Sequence, residues 1–222
     1  MDNADQIRAV ATRLFASVGY DGASLQAIAE RVGVTKQTLL YHYPSKEALR
    51  RAVLDQVFAH FRERLPQMLE AVTSGHGRFE ALTRELVQFF ETDPDRARLL
   101  LRELLDNPEG MRRLLVENLR PWILLVAQYI RQGQQSDLIY ADVDPEAYVL
   151  NVIILVLANI AMRSITRSVL GGDAAPDDGY TREMDELFRV GRTALFKPAA
   201  AGRAPRDPAA AGRTSTHEPE ET

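Results

Sequence analysis

The chain contains no cysteine among its 222 residues, which excludes a disulfide framework and any metal site that depends on thiolates. A zinc site built on histidines needs ligands at helical spacing or in a cluster. The histidines do not provide this, since no two of them stand three or four positions apart: they are His42, His60, His76 and His217. We therefore expect neither a metal nor another cofactor.

Signatures of common enzyme classes are missing as well. The sequence contains no Gly-x-Ser-x-Gly elbow, no Walker loop and no dinucleotide fingerprint. A helical di-iron enzyme should carry Glu-x-x-His pairs on facing helices, and none occurs. We expect a protein that is not an enzyme. A helical hydrolase, or a helical adaptor that binds only other proteins, remains the alternative.

Patterns typical of strands and of membrane spans are scarce. No run of strictly alternating apolar and polar residues occurs, so helix is the expected structure throughout. The most apolar stretch covers residues 147–162 and is interrupted by Asn151 and Asn159. A membrane span needs about 20 apolar residues, so a buried helix explains this stretch better than a span. The charged N-terminal segment lacks the features of a secretory signal, and we expect a cytoplasmic protein.

Charge is unevenly distributed along the chain. The net charge is −4, yet residues 1–51 hold seven basic and five acidic side chains, a net charge of +2. The rest of the chain therefore carries −6. This difference has the sign expected if only the N-terminal part meets phosphate groups.

Apolar periodicity predicts helices along most of the chain, and Pro, Gly and Asp-Pro or Asn-Pro breaks mark their ends. These features divide the chain into three regions. We predict a small N-terminal domain over 1–51, a larger helical domain over 52–197, and a disordered tail over 198–222 that is rich in Ala, Pro and Gly. The predicted helices cover 4–18, 25–32, 36–42, 46–71, 78–92, 95–106, 109–134, 145–170 and 180–196. Pro66 and Pro121 are expected to kink two of them.

Residues 25–44 have the spacing of a helix-turn-helix. Ala29 is small where a second helix would cross, and Gly33 suits the left-handed conformation of the turn. Apolar residues at matching positions would lock the two helices together: Ile28, Val32, Val34 and Leu39. The second helix of such a motif enters the major groove of DNA.

The remaining side chains of this segment are types that bind DNA. Gln37 can bond adenine through two hydrogen bonds, and Thr38 can offer its methyl group to thymine. Helix N-termini favour phosphate because their N–H groups are free. The predicted DNA contacts are Ser24, Thr35, Lys36, Gln37, Thr38, Tyr41, His42 and Lys46. A solvated helix face, or packing of His42 against Tyr20 and Tyr41, is the alternative for individual members of this set.

The segment GYDGASLQAIAERVGVTKQTLLYHYPSKEAL resembles the DNA-binding domain of the tetracycline-repressor (TetR) family. The resemblance covers about 50 residues in order and without a gap. It implies an all-helical fold with a three-helix DNA-binding domain, a C-terminal domain that binds a ligand and dimerises, and most often a repressor. Leu40 departs from the family pattern, which commonly has Tyr there as a phosphate contact, so the resemblance implies one missing backbone contact per subunit.

Two further sets of residues complete the expectations for the larger domain. A hydrophobic or amphipathic effector is expected to meet Phe61, Phe89, Trp122, Tyr129, Asn151 and Asn159, although aromatic residues at helical spacing are more often plain core. A glycine inside the last helix, Gly191, favours close contact with another helix. We therefore expect a two-fold homodimer through Leu187, Phe188 and Gly191. Such a dimer would bind a near-palindromic site on double-stranded DNA.

Overall fold

The computed structural model describes residues 2–71, 75–170 and 178–198, and all of its regular elements in these ranges are α-helices. The helices are α1 (Asn3–Gly22), α2 (Leu25–Val32), α3 (Lys36–His42), α4 (Lys46–Ala71), α5 (Gly75–Thr92), α6 (Pro94–Asp106), α7 (Pro108–Asn118), α8 (Arg120–Gln135), α9 (Pro145–Ala161), α10 (Arg163–Val169) and α11 (Asp178–Leu195). The expected all-α fold is confirmed. The predicted tail lies outside the described residues beyond position 198.

The N-terminal helices begin and end where local chemistry predicts. The Ser24 hydroxyl accepts a hydrogen bond from the Ala27 amide at the start of α2, and Thr35 does the same for Thr38 at the start of α3. Gly33 ends α2 with φ 81° and ψ 27°, a left-handed conformation that costs other residues about 1–2 kcal/mol. These local signals confirm the predicted helix limits of 25–32 and 36–42.

Two predicted helices are divided in the structure. The helix expected over 109–134 breaks at Leu119, and Pro121 stands in the first turn of α8, where its missing N–H has no helical acceptor to lose. The helix expected over 145–170 bends by 78° between α9 and α10. At this bend the Ala161 carbonyl accepts a hydrogen bond from Arg98 Nε at 3.3 Å. The interruption predicted at Pro121 is therefore present, but it divides the helix in two, and the proline lies in the first turn of the second helix.

Most of the apolar core is one continuous cluster. It runs from Ile7 in α1, through Leu39 in α3 and Leu100 in α6, to Leu187 in α11. A second, smaller cluster forms around Phe79 at the opposite end of the larger domain. There the end of α11 is fastened to the segment after α8 by backbone hydrogen bonds, Tyr140 N to Leu195 O at 3.2 Å and Lys197 N to Leu138 O at 3.1 Å.

Within the described residues, no single helix is long and apolar enough to cross a membrane. Only α9 and α10 taken together reach that length and composition, and the bend separates them.

Candidate DNA-binding surface and effector cavity

The helix-turn-helix is held by buried side chains at the positions that the sequence predicts. Ile28, Ala29 and Leu39 are fully buried, while Val32 and Val34 are partly buried against the same core. Tyr43 ties this unit to α1: its hydroxyl donates to the Ala4 carbonyl at 3.2 Å and accepts from Arg8 Nη1 at 2.8 Å. The two short helices are thus fixed to α1 by both apolar packing and hydrogen bonds.

The outward face of α3 carries the predicted base-reading residues. Lys36 and Gln37 are exposed, and Tyr41 is 86% exposed. Thr38 is half-buried and its hydroxyl lies 2.9 Å from that of Thr35. His42 is half-buried and meets the edge of the Tyr41 ring at 5.4 Å between centroids. Of the five predicted contacts on α3, Lys36, Gln37 and Tyr41 are therefore exposed, while Thr38 and His42 are half-buried.

Lys46 begins α4 and sits over an aromatic ring. Its Nζ lies 4.4 Å from the centroid of the Tyr20 ring and 3.5 Å from the Asp21 carbonyl. Arg50 lies at the same distance from Tyr20, with Cζ 4.4 Å from the ring centroid. Cation–π contacts of this kind help to hold a charge in place beside the ring. Ser24 and Ser45 stand exposed at the starts of α2 and α4.

Arg50 also makes the ion pair that joins the N-terminal domain to the larger one. Its Nε donates to Glu103 Oε2 at 2.8 Å, and Nη2 donates to the same oxygen. Both residues are buried, with 9% and 2% of their surface exposed. Burial alone would lower the pKa of Arg50, but the hydrogen bond to Glu103 and its charge outweigh burial and raise the pKa. The guanidinium therefore stays charged, and α4 is linked to α6.

The larger domain encloses a cavity of about 190 Å³ with almost wholly apolar walls. Its wall at one end comes from α4, α6 and α7, with Phe58, Leu100 and Met111. At the other end it reaches the second cluster, with Ile139 and Phe196. A cavity of about 150 Å³ lined by apolar side chains is large enough to bind benzene, so this space is large enough for a small organic molecule.

The structure brings three of the six predicted effector contacts to this cavity and leaves three away from it. Phe61, Trp122 and Tyr129 belong to its wall. Phe89 instead stacks on His60 with 4.1 Å between ring centroids and borders a separate, more polar cleft between α1 and helices α4 to α6. Its ring is held by aromatic neighbours, which is the plain core role that was the alternative.

Both asparagines of α9 lie off the cavity wall. Asn159 satisfies its amide within its own helix by donating to the Leu155 carbonyl at 2.8 Å. Asn151 is exposed on α9. Neither asparagine therefore lines the cavity: the Asn159 amide bonds within its own helix, and Asn151 meets solvent in the single chain.

The three predicted interface residues pack within their own chain. Leu187 is buried in the main core, and Phe188 packs against that core. A Cβ atom added to Gly191 would lie 3.0 Å from Phe79 Cζ and 3.4 Å from Tyr148 Oη, and Tyr148 donates to the Gly191 carbonyl at 2.6 Å. Burial raises the pKa of Tyr148, so its hydroxyl stays protonated as a donor. The close approach that explains Gly191 is therefore internal.

A different set of apolar side chains on these helices is open to solvent. They stand on α9, α10 and α11 and comprise Leu150, Ile154, Leu155, Ile165, Val169 and Val190. Val169 is 76% exposed. Exposed apolar side chains that form a large patch are typical of interaction surfaces.

Sequence reasoning missed Tyr43, Arg50, Glu103 and Arg78 as functional candidates. A signal existed for Glu103, which interrupts the apolar stripe formed by Leu99 and Leu100 on α6. Within the described ranges, no group of three or more His, Cys, Asp and Glu side chains is arranged to hold a metal ion.

Comparison with known proteins agrees with this geometry. Residues 7–53 match the family model of bacterial regulatory proteins of the tetR family. Residues 77–188, half of the chain, match the model of the tetracyclin repressor-like C-terminal domain.

Individual proteins show the same relationship. LmrA, an HTH-type transcriptional regulator from Bacillus subtilis, is 29% identical over 141 residues, or 61% of this chain and 75% of LmrA. RutR, an HTH-type transcriptional regulator from Escherichia coli, is 49% identical over 51 residues, or 23% of this chain and 24% of RutR. FadR from Bacillus subtilis, solved in complex with stearoyl-CoA, shares the fold at a TM-score of 0.67 and 15% identity, covering 86% of this chain and 98% of that one. The chain belongs to the TetR family of DNA-binding transcriptional regulators.

Proposed function

We propose that this protein is a repressor that binds a near-palindromic operator as a homodimer and releases it when a small hydrophobic or amphipathic effector enters the cavity of the larger domain. The observation that carries this proposal is the position of the cavity. Its walls include α4 and α6, the two helices that the Arg50–Glu103 ion pair joins.

The DNA contacts follow from the exposed face of α3 and from the helix starts beside it. Gln37 is the base-reading residue, because an exposed amide can make two hydrogen bonds to adenine. Lys46 contacts a phosphate from the start of α4, where the helix dipole adds to its charge. Ser24, Thr35, Lys36, Thr38, Tyr41 and His42 complete the contact surface.

The dimer forms through the exposed apolar side chains of α9, α10 and α11. Burying these side chains against a second copy removes apolar surface from water, at about 25 cal/mol per Å². A two-fold axis then places two α3 helices on successive turns of one DNA face, which explains a near-palindromic operator.

Helix α6 supports coupling between effector and operator because its side chains contact both the cavity and α4. Leu100 and Leu104 face the cavity, while Glu103 holds Arg50 of α4. Helix α6 also lies close to α1, since a Cβ atom added to Gly19, near the end of α1, would lie 3.1 Å from Arg102 Nη1 of α6. An effector that shifts α6 must therefore move α1 and α4, and with them α3. The effector can shift this equilibrium only by as much as it binds the shifted conformation more tightly than the unshifted one.

The experiment is a selection of bound sites from random DNA, repeated with a panel of apolar compounds. We expect one near-palindromic motif whose affinity falls steeply with salt, and release by at least one apolar compound. A reporter gene placed behind the selected site should be silenced by the protein. Activation of the reporter would contradict the repressor assignment, and a panel without effect on DNA binding would contradict the effector assignment.

A further inference from the structure

One cation at the cavity wall, Arg78, has a buried donor that finds no hydrogen-bond acceptor among the described residues. Arg78 of α5 contributes to the wall, and its Nε atom is buried without a hydrogen bond. In the part of the chain that the structure describes, no carboxylate lies within ion-pair distance of Arg78. Its contact with an aromatic ring is with Tyr129, whose ring centroid is 4.4 Å from Arg78 Cζ.

Three other polar side chains of the wall, Glu85, Asn118 and Tyr148, have hydrogen-bond partners. Glu85 accepts from His60 Nε2 at 2.9 Å and from Arg64 Nε at 3.5 Å. Asn118 is bonded to Arg62 and to the Leu114 carbonyl, and Tyr148 to the Gly191 carbonyl. Arg78 thus differs from these three neighbours, because its buried Nε has no hydrogen-bond acceptor among the described residues.

An unused buried donor is costly. Leaving a buried N–H without an acceptor costs about 1–3 kcal/mol, and more when the group is charged. A planar guanidinium matches a carboxylate through two parallel hydrogen bonds, and the Tyr129 ring already holds the Arg78 guanidinium. A carboxylate that entered the cavity would therefore give the buried Nε–H of Arg78 the acceptor that the described residues do not supply.

We propose that the effector is an organic carboxylate whose head group binds Arg78. This inference rests on the proposed function, since it names the chemical class of ligand for the same cavity. The apolar tail extends from Arg78 and Tyr129 past Leu86 towards Phe58 and Leu104, so it ends against α4 and α6. The volume of about 190 Å³ fits a tail of benzene size or moderately larger.

Trp122 provides the readout because it is the only tryptophan of the chain and belongs to the cavity wall. The full chain is titrated with octanoate and with phenylpropanoate, and in parallel with the corresponding neutral amides, while Trp122 fluorescence is followed. We expect the Kd of each carboxylate to be at least about tenfold lower than that of its amide. A hydrogen bond to a charged group contributes enough free energy for this difference.

Three variants test the role of Arg78. Arg78→Met should weaken carboxylate binding by about tenfold or more and abolish the preference over the amide. Arg78→Lys keeps the positive charge but not the two parallel donors of the guanidinium, so it should retain part of the preference for the carboxylate. It also replaces the methionine variant in this test if that variant does not fold. Arg84→Gln is the matched control, since Arg84 is exposed on the same helix, and it should bind both probes like the wild type.

The outcomes separate this inference from the proposed function. If the amides bind as tightly as the carboxylates, or if Arg78→Met keeps the wild-type preference, the carboxylate assignment is overturned while an apolar effector cavity stands. If neither charged nor neutral probes change Trp122 fluorescence or DNA binding, the effector cavity itself is overturned, and this inference with it.

Discussion

Arg50 and Glu103 are 53 positions apart in the chain, and their buried ion pair joins α4 of the DNA-binding region to α6 of the larger domain. Replacing both charges by apolar residues is often neutral or stabilising, whereas removing one leaves the other buried and unpaired. The pair is therefore better placed to transmit a movement than to add net stability, and single and double replacements should separate the two roles.

Glu103→Gln should lower the free energy of unfolding by about 3 kcal/mol, because Arg50 loses its charged partner in a buried place. The double variant Arg50→Met with Glu103→Leu should recover that loss, yet its DNA binding should respond less to the effector. Denaturant unfolding and DNA binding with and without effector measure the two effects. The control is Arg112→Gln with Glu109→Gln, an ion pair exposed on α7. Full effector response in the buried double variant would refute transmission through this pair.

Gln37→Ala should relax base preference at one position of each half-site, at a cost of about 1–3 kcal/mol on the best site. The physical reason is the loss of two directed hydrogen bonds from an exposed amide to one base. Binding to the selected site and to single-base variants of it, measured at one salt concentration, tests this. An equal loss on all sequences would mean that Gln37 contacts the backbone instead.

Lys46→Ala should weaken binding to all sequences alike and reduce the salt dependence by about one ion for each subunit. The ammonium over Tyr20 is positioned to contact a phosphate, which carries no sequence information. Lys197→Ala removes one positive charge at the far end of the larger domain, where Lys197 pairs with Asp137, and should leave the salt slope unchanged. Identical slopes for both variants would exclude a phosphate contact by Lys46.

Ile154→Glu should give monomers at micromolar concentration that bind the operator weakly. Ile154 is about half exposed on α9, and a carboxylate there would have to be desolvated in the proposed dimer interface. Sedimentation velocity reports the assembly state. Val116→Glu changes an equally exposed apolar residue on α7 and should remain dimeric. A wild-type monomer, or a dimeric Ile154→Glu, would contradict the proposed interface.

Gly191→Ala should destabilise the chain by about 1 kcal/mol, because overpacking costs about 1–3 kcal/mol and the gain in helix propensity offsets only about 1. The new Cβ would press on Phe79 Cζ. Adding Phe79→Leu should therefore show favourable coupling in a double-mutant cycle of unfolding free energies. If Gly191→Ala changed the assembly state and not the stability, the internal contact would not explain this glycine.

The sequence predicts the helix-turn-helix well because its signals are local. Ser24, Thr35 and Gly33 each act on neighbours within four positions, so the pattern of residue types is enough to place them. The family resemblance then supplies the global fold, which periodicity alone would leave as an undefined set of helices.

The cavity and the interface depend on contacts that are distant in sequence. Gly191 meets Phe79 and Tyr148, and nothing local distinguishes this internal approach from one by a second chain. Asn159 is an exception, because its partner Leu155 is only four positions away, and hydropathy does not show that a carbonyl of the same helix accepts the amide. Arg78 was missed because an arginine near the start of a helix is usually a surface residue, and only the fold shows that it lines a cavity.

The unbroken apolar cluster from α1 to α11 has a thermodynamic consequence. Leu39, the buried residue of α3, and Leu100 at the cavity belong to one hydrophobic core. Neither region therefore has a core of its own that would allow it to unfold separately. Heating should therefore unfold both in one cooperative transition. A ligand at about 100 times its Kd adds about 2.7 kcal/mol to the whole folded state, so even a spectroscopic probe placed on the DNA-binding surface should register the occupancy of the distant cavity as a higher melting temperature.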